Sequence, residues 1–351
     1  MRTDKKRPSK RSGLALLALT LALLAILGEL VLRLWPKPAA GGLAGLHRAS
    51  TVPGLIWELT PGYSSEKYTV NAAGFRGPAC AVQKPDSLFR IAVIGDSHTF
   101  GLGVYDENLI YPARLRARLA DRFAVEVCNF GVPGYNTWQE FAQLRQVVMP
   151  YQPDLVVLGF VFNDADETTV MLTGDGPQQT GAAHNTAPQT ISLTGLLKKS
   201  HLVLALKNAV ETIGLALFDY YPDYMDMKIT SARWREMQQT LKRMHAFLRE
   251  RDIPLVVVVF PVTYQLRRPE TESRAQNDML TFLRSNDIPL VNLFPAFRAF
   301  LQQHGFDYHR LIVRGIRDTH PTAAGHAIVA RELAEQLIEF IPQRYRRVQK
   351  P

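Results

Sequence analysis

The apolar positions of this 351-residue chain fall into three regimes. From Gly13 to Leu27 they are almost unbroken, and they continue through Leu30-Val31-Leu32 and Leu34-Trp35, with Glu29 and Arg33 only at the far end. Residues 36–60 turn to Pro, Gly and Ala and read as a linker. Residues 61–87, with Tyr68-Thr69-Val70 and Gly74-Phe75-Arg76-Gly77, read as a short extended lead-in. From residue 88 onward, short apolar runs alternate with stretches of helical spacing. The runs at 89–94, 124–128, 155–160, 255–260 and 289–292 predict buried strands. Residues 109–119, 138–148, 232–249, 270–283 and 322 to about 341 predict helices. Within 232–249, Trp234, Met237, Leu241, Met244 and Leu248 recur at helical spacing, a stripe that marks core rather than a site. Strands alternating with helices predict an α/β domain over 88–342, its parallel sheet covered on both faces. Ligands of such sheets bind at the carboxyl ends of the strands. Residues 165–229 interrupt the alternation with a polar Gly/Thr/Gln-rich stretch and then an apolar-periodic segment near 193–217. They read as an insertion, either a lid or binding loop or simply extra packing.

The apolar span of residues 13–35 is about 20 residues long, enough to cross a bilayer once. Lys/Arg on its N-terminal side predicts a cytoplasmic end and a body on the extracytoplasmic side of the inner membrane. A cleavable signal peptide, with Ala39-Ala40 as its processing point, is the rival; the length of the span favours an uncleaved anchor. No cysteine follows the span, which speaks against a lipoprotein. The formal net charge is +9. Residues 1–12 contribute +5 and residues 343–351 contribute +4, so the body between is neutral. A nucleic-acid partner would require a basic face on that body, and none is expected. Of the two cysteines, Cys128 sits in an apolar strand and reads as simply buried; an exported compartment permits a bond to Cys80, but no disulfide is predicted.

Two distant segments carry candidate chemistry. Gly95-Asp96-Ser97 stands where an apolar strand ends, and Asp318-Thr319-His320-Pro321 stands just before the last helix. A serine at a strand tip is a nucleophile only if a base reaches its hydroxyl. His320 is the candidate base, with Asp318 to orient it. Taken singly, each motif has a bland reading: Gly-Asp-Ser is a common turn, Gly131 and Gly134 are turn glycines, Asp164 caps a strand and His326 packs at the last helix. The histidines at 47, 184, 201, 245, 304 and 309 show no paired ligand spacing, and no phosphate-cradling glycine loop appears. No metal and no cofactor is expected.

In order along the chain, four blocks resemble the SGNH hydrolases, also called the GDSL esterase family. They are Gly95-Asp96-Ser97-His98-Thr99-Phe100-Gly101, Asn129-Phe130-Gly131-Val132-Pro133-Gly134, Gly159-Phe160-Val161-Phe162-Asn163-Asp164, and Asp318-Thr319-His320-Pro321 with Gly325-His326 beyond. The resemblance covers roughly 88–340. The anchor, the linker and the Gly-Phe-Arg lead-in resemble a membrane-anchored bacterial subgroup. It implies a three-layer α/β/α sandwich with a mainly parallel five-stranded sheet, flavodoxin-like. It also implies Ser97 as nucleophile, His320 as base and Asp318 as its orienting carboxylate. The backbone N–H groups of Ser97 and Gly131 and the Asn163 amide would form an oxyanion hole. Two positions depart from the family pattern. The usual aspartate position, three residues before the histidine, is Arg317, so Asp318 takes the role from two residues away, a spacing also similar to O-acetyltransferase-like relatives. The residue after the serine is His98, expected in the wall of the substrate pocket. The implied activity is hydrolysis of acyl esters, O-acetyl above all, on envelope glycans or related molecules. Alternatives are acyl transfer through the same acyl-serine and a non-catalytic glycan-binding protein.

Overall fold

The computed structural model describes residues 10–34, 43–165, 169–173, 176–180, a few positions between 200 and 206, 229–261, 263–267, 273–313 and 320–347. The chain divides into two units, Met1–Pro38 with Thr186–Pro222, and Ala39–Asn185 with Asp223–Pro351. In the first, helix α1 (Lys10–Leu34) is 25 residues long. Its Glu29 accepts from Ser200 Oγ at 2.8 Å and Leu202 N at 2.9 Å, and pairs with Arg33 one turn on. Among the described residues no helix is long and apolar enough to cross a membrane. Within α1 the side chains of residues 10–16 and 18 lie outside that description, so the anchor expected over 13–35 stays a reading of the sequence.

The second unit opens with β1 (His47–Ala49) and β2 (Trp57–Leu59), an antiparallel pair. Next come β3 (Phe89–Gly95), the short helix α2 (Ser97–Phe100), α3 (Tyr111–Ala120) and β4 (Val125–Asn129). Helix α4 (Thr137–Gln143) runs on through Leu144–Val148 and leads to β5 (Leu155–Phe160). Strands β6 (Thr169–Thr173) and β7 (Gly176–Thr180) form a hairpin inside the insertion, whose apolar segment near 193–217 falls outside the described residues. Then follow α5 (Ala232–Arg249), β8 (Leu255–Val259), α6 (Thr263–Arg267), α7 (Arg274–Ser285), β9 (Leu290–Asn292), α8 (Phe294–Gln303) and α9 (Ala323–Leu337).

The main sheet has the order β4-β3-β5-β8-β9, and every neighbouring pair is parallel. Strands β3, β5 and β8 are buried along their whole length, because helices cover both faces. Ile91 and Val93 meet Tyr111, Leu115, Phe297 and Val329 on one face. Ala92 and Ile94 meet Leu144, Met279 and the stripe Trp234, Met237, Leu241, Met244 and Leu248 on the other. That stripe is core. The chain passes from β3 to β4 on one side and then returns to β5 on the other, so the strand order reverses between β3 and β5. A ligand cleft is expected above such a switch point, at the carboxyl ends.

Two expectations are corrected. Residues 43–60 are folded rather than linker: Leu46, Leu55, Trp57 and Leu59 form a core with Phe100, Val132 and Tyr135. Trp57 Nε1 donates to Pro133 O at 3.3 Å, and Tyr135 Oη donates to Trp57 O at 2.6 Å. Cys80 and Cys128 are joined as a disulfide across 48 positions. The sequence shows neither, because each depends on which distant segments the fold brings side by side.

Candidate active site

The nucleophile candidate stands on a short, heavily braced turn. Asp96 caps α2, and its Oδ1 accepts from His98 N at 2.8 Å. Ser97 is the first helical residue, so its own N–H has no intrahelical acceptor, and no other acceptor is described for it. Gly101 closes the helix in the left-handed region (φ 84°, ψ 42°), where a side chain would also collide with Ile110 at 2.2 Å.

His320 comes from the opposite end of the chain. Its carbonyl accepts from Val313 N at 2.9 Å, and two residues on Thr322 N donates to Leu311 O at 2.8 Å, so the backbone is pinned on both sides. Thr322 in turn caps α9 through Gly325 N. This places His320 Nε2 2.8 Å from Ser97 Oγ, across 223 positions of sequence. Ser97 Oγ also lies 3.2 Å from Asp96 Oδ2. The hydroxyl has one proton to donate, and the imidazole contact is the shorter. Asp318 belongs to residues 314–319, outside the described residues.

Asn163 follows β5 in a short turn (Phe162–Ala165), and its Nδ2 reaches Asp96 Oδ2 at 3.4 Å. Asp164 caps the same turn, its Oδ2 accepting from Val161 N at 2.8 Å. Gly131 is different from expectation. Its N–H donates to Asn129 Oδ1 at 3.0 Å, so it reaches an oxyanion only by sharing that hydrogen. Its lack of a side chain has a structural cause, because a Cβ would stand 2.3 Å from Phe100 N. His98, expected in the pocket wall, is buried at 2 % exposure. It packs 4.9 Å from the His320 ring and 5.3 Å from Phe260, with Nδ1 3.4 Å from Asp96 Oδ1.

The electrostatics centre on Asp96, which is fully buried. Burial alone would raise its pKa, but the charge and hydrogen bonds of His98, together with the charge of His320, outweigh it and hold the carboxyl below its ordinary range. Glu140 on α4 shows the opposite sense: burial first, then the negative charge of Asp96, push it well above the usual carboxylate range. Neither of its oxygens has a hydrogen-bond partner among the described residues. Sequence reasoning missed it; the only signal was a polar residue on the inward stripe of α4. His326 Nδ1 accepts from Tyr111 N at 3.1 Å, and burial drives its pKa well below the ordinary histidine value. Among the described residues one cluster has the spacing of a metal site, Cys80, Glu126 and Cys128, but both sulfurs are in the disulfide and Glu126 is paired with Arg90 at 2.6 Å.

A serine hydroxyl with an imidazole nitrogen at 2.8 Å thus stands at the switch point of the sheet, with the Asn163 amide beside the Asp96 that caps the serine's helix. This arrangement suits acyl transfer through a tetrahedral oxyanion. Similar solved structures include TesA, 17% identical over 72% of this chain and 99% of that one, with a TM-score of 0.43. The lipase/acylhydrolase from Enterococcus faecalis is 14% identical, over 75% and 100% of the two chains, at 0.42. A catalytic mutant of Axe2, an acetylxylan esterase from Geobacillus stearothermophilus, is 15% identical, over 74% and 97%, at 0.43. At these values the likenesses carry no functional argument. No curated protein matches. The model of the GDSL-like Lipase/Acylhydrolase family matches residues 93–328, and the chain belongs to that family as a carboxylic ester hydrolase.

Proposed function

We propose that Ser97 is the nucleophile and His320 the general base of a membrane-anchored esterase that removes small acyl groups, acetyl above all, from envelope glycans. The observation that carries the site assignment is the 2.8 Å contact between His320 Nε2 and Ser97 Oγ. Ser97 Oγ attacks the ester carbonyl as its proton passes to His320 Nε2. The oxyanion is held by Ser97 N–H and Asn163 Nδ2, with Gly131 N–H a third donor when it shares its hydrogen with Asn129. The C–O bond to the alcohol then breaks, His320 returns the proton to the leaving oxygen, and water repeats the cycle on the acyl-serine. Asp318 orients the imidazole and stabilises its charged form. Transfer to a sugar hydroxyl would use the same acyl-serine; hydrolysis is our reading because the matching family is described as lipase/acylhydrolase.

The anchor is argued from the apolar span and the basic residues before it. A disulfide also suits an oxidising compartment. The glycan substrate is argued from that location. The test is turnover of a short-chain chromogenic ester by the full chain and by Ser97→Ala. The substitution should lower kcat by roughly 1000-fold or more, and retained activity sinks the serine mechanism. Membrane placement is tested by alkaline extraction of the membrane fraction, and release of intact protein sinks it.

A further inference from the structure

The Gly74-Phe75-Arg76-Gly77 segment has no part in the chemistry above, yet it is built around the nucleophile helix. Asn71 folds it: Oδ1 accepts from Ala73 N at 2.9 Å and Phe75 N at 3.1 Å, and Nδ2 donates to Gly77 O at 2.9 Å. Phe75 packs edge-on against Phe130 at 4.6 Å, and the Cys80–Cys128 bond ties the segment to β4 three residues before Gly131. Between these fixtures Arg76 turns inward and is 2 % exposed.

Its guanidinium grips main chain only. Nη1 donates to Phe100 O at 3.0 Å and Gly101 O at 2.7 Å; Nη2 donates to Val104 O at 2.5 Å and Tyr105 O at 3.1 Å. The cation lies over the rings of Tyr68 and Phe100, 5.1 and 5.0 Å from their centroids. Burial pulls its pKa down to about 10, so it remains charged at neutral pH. Phe100 is the last residue of α2 and Gly101 is its cap; Val104 N donates back to Gly101 O at 3.2 Å, and Tyr105 follows. From the other side, Ser97 O accepts from Gly101 N at 3.0 Å and Leu102 N at 2.9 Å. Serine and arginine therefore hold the same turn. Asp96 at the front of α2 and Arg76 at its back also match the sense of the helix dipole.

We propose that Arg76 is a positioning residue for catalysis: by holding the Phe100–Tyr105 turn it keeps the Ser97 hydroxyl within reach of His320. It touches neither Ser97 nor substrate and acts through α2. The proposal rests on Ser97 being the nucleophile. Lysine cannot replace it, because one ammonium lacks the planar fork that reaches four carbonyls.

The test uses the full chain in detergent, with Arg76→Lys, Arg76→Ala and Ser97→Ala. Active serine is titrated with a fluorophosphonate, and kcat and KM are measured on a chromogenic acetyl ester per titrated serine. Arg76→Lys is expected to lose roughly 100-fold in kcat, the cost of about 1 Å of misplacement, with KM changed by less than about three-fold. Fluorophosphonate labelling should slow in parallel, and methylguanidinium should restore turnover to Arg76→Ala but not to Arg76→Lys. A purely structural arginine would reduce the amount of folded protein and leave turnover per serine intact. Wild-type turnover per titrated serine in either variant overturns the proposal, and Arg76→Lys decides the matter if Arg76→Ala does not fold. An active Ser97→Ala would instead overturn the nucleophile itself, so the two failures are distinguishable.

Discussion

Gly131→Ala tests whether the β4 loop and the nucleophile helix must approach as closely as they do. The added Cβ would lie 2.3 Å from Phe100 N, 2.6 Å from Thr99 C and 2.8 Å from Thr99 Cβ. The first two obstacles are main chain, so no side chain can swing aside. An ordinary contact begins near 3.4 Å, which means the loop and α2 must separate by about 1 Å. A displacement of that size at a reacting centre costs on the order of 100-fold in rate. The same overpacking costs about 1–3 kcal/mol of stability, or roughly 2–10 °C in Tm for a domain of this size. The assay pairs kcat on a chromogenic ester with a melting curve, and substrate saturation separates kcat from KM. A variant that melts lower but turns over at the wild-type rate would show that the approach matters to packing alone. A variant unchanged in both would refute the geometry.

Further outcomes are expected from buried groups. His47 is 3 % exposed and burial lowers its pKa from 6.5 to about 3; His326 is lowered in the same direction by burial and by neighbouring positive charge. A base whose folded pKa is depressed takes up its proton first in the unfolded state, so stability is complete above pH 6.5 and falls below it. The slope should approach about 1.4 kcal/mol per pH unit for each histidine, and urea midpoints that are flat between pH 7 and 5 would contradict it. His47→Gln should remove about one proton from that slope, measured as the change in unfolding free energy with pH. Reducing the Cys80–Cys128 bond, which spans 48 positions, should cost about 4 kcal/mol on the chain-entropy model; an unchanged melting temperature in reductant would contradict that. Asn163→Ala should lower kcat about 100-fold or more by removing an oxyanion donor, and a change confined to KM would exclude that role.

What could be read from the sequence follows from what repeats or stands alone along it. The five strands were legible because their apolar runs are short and bounded, and Ser97 and His320 because each ends a recognisable block at a strand or helix boundary. Helix α8 was not, although Phe294, Phe297 and Leu301 lie on one face and Pro295 stands at its first turn, where proline is favoured; only Leu293 separates it from β9, so no loop announces it. Strands β1 and β2 are three residues each, too short for any alternation to register. The burial of His98 was illegible for a different reason. The position after a strand-tip serine looks exposed along the chain, but Asp96 caps α2 and the His98 ring is buried 4.9 Å from the His320 ring. Arg76 and Asp96 complete the lesson. The carbonyls held by Arg76 and the His98 amide held by Asp96 are main-chain groups, identical at every residue, so no pattern of side chains marks them. A buried charge satisfied by main chain leaves only its own presence in the sequence, an arginine among Gly and Phe. Its role appears once the fold shows that the turn it holds is the one that begins at Ser97.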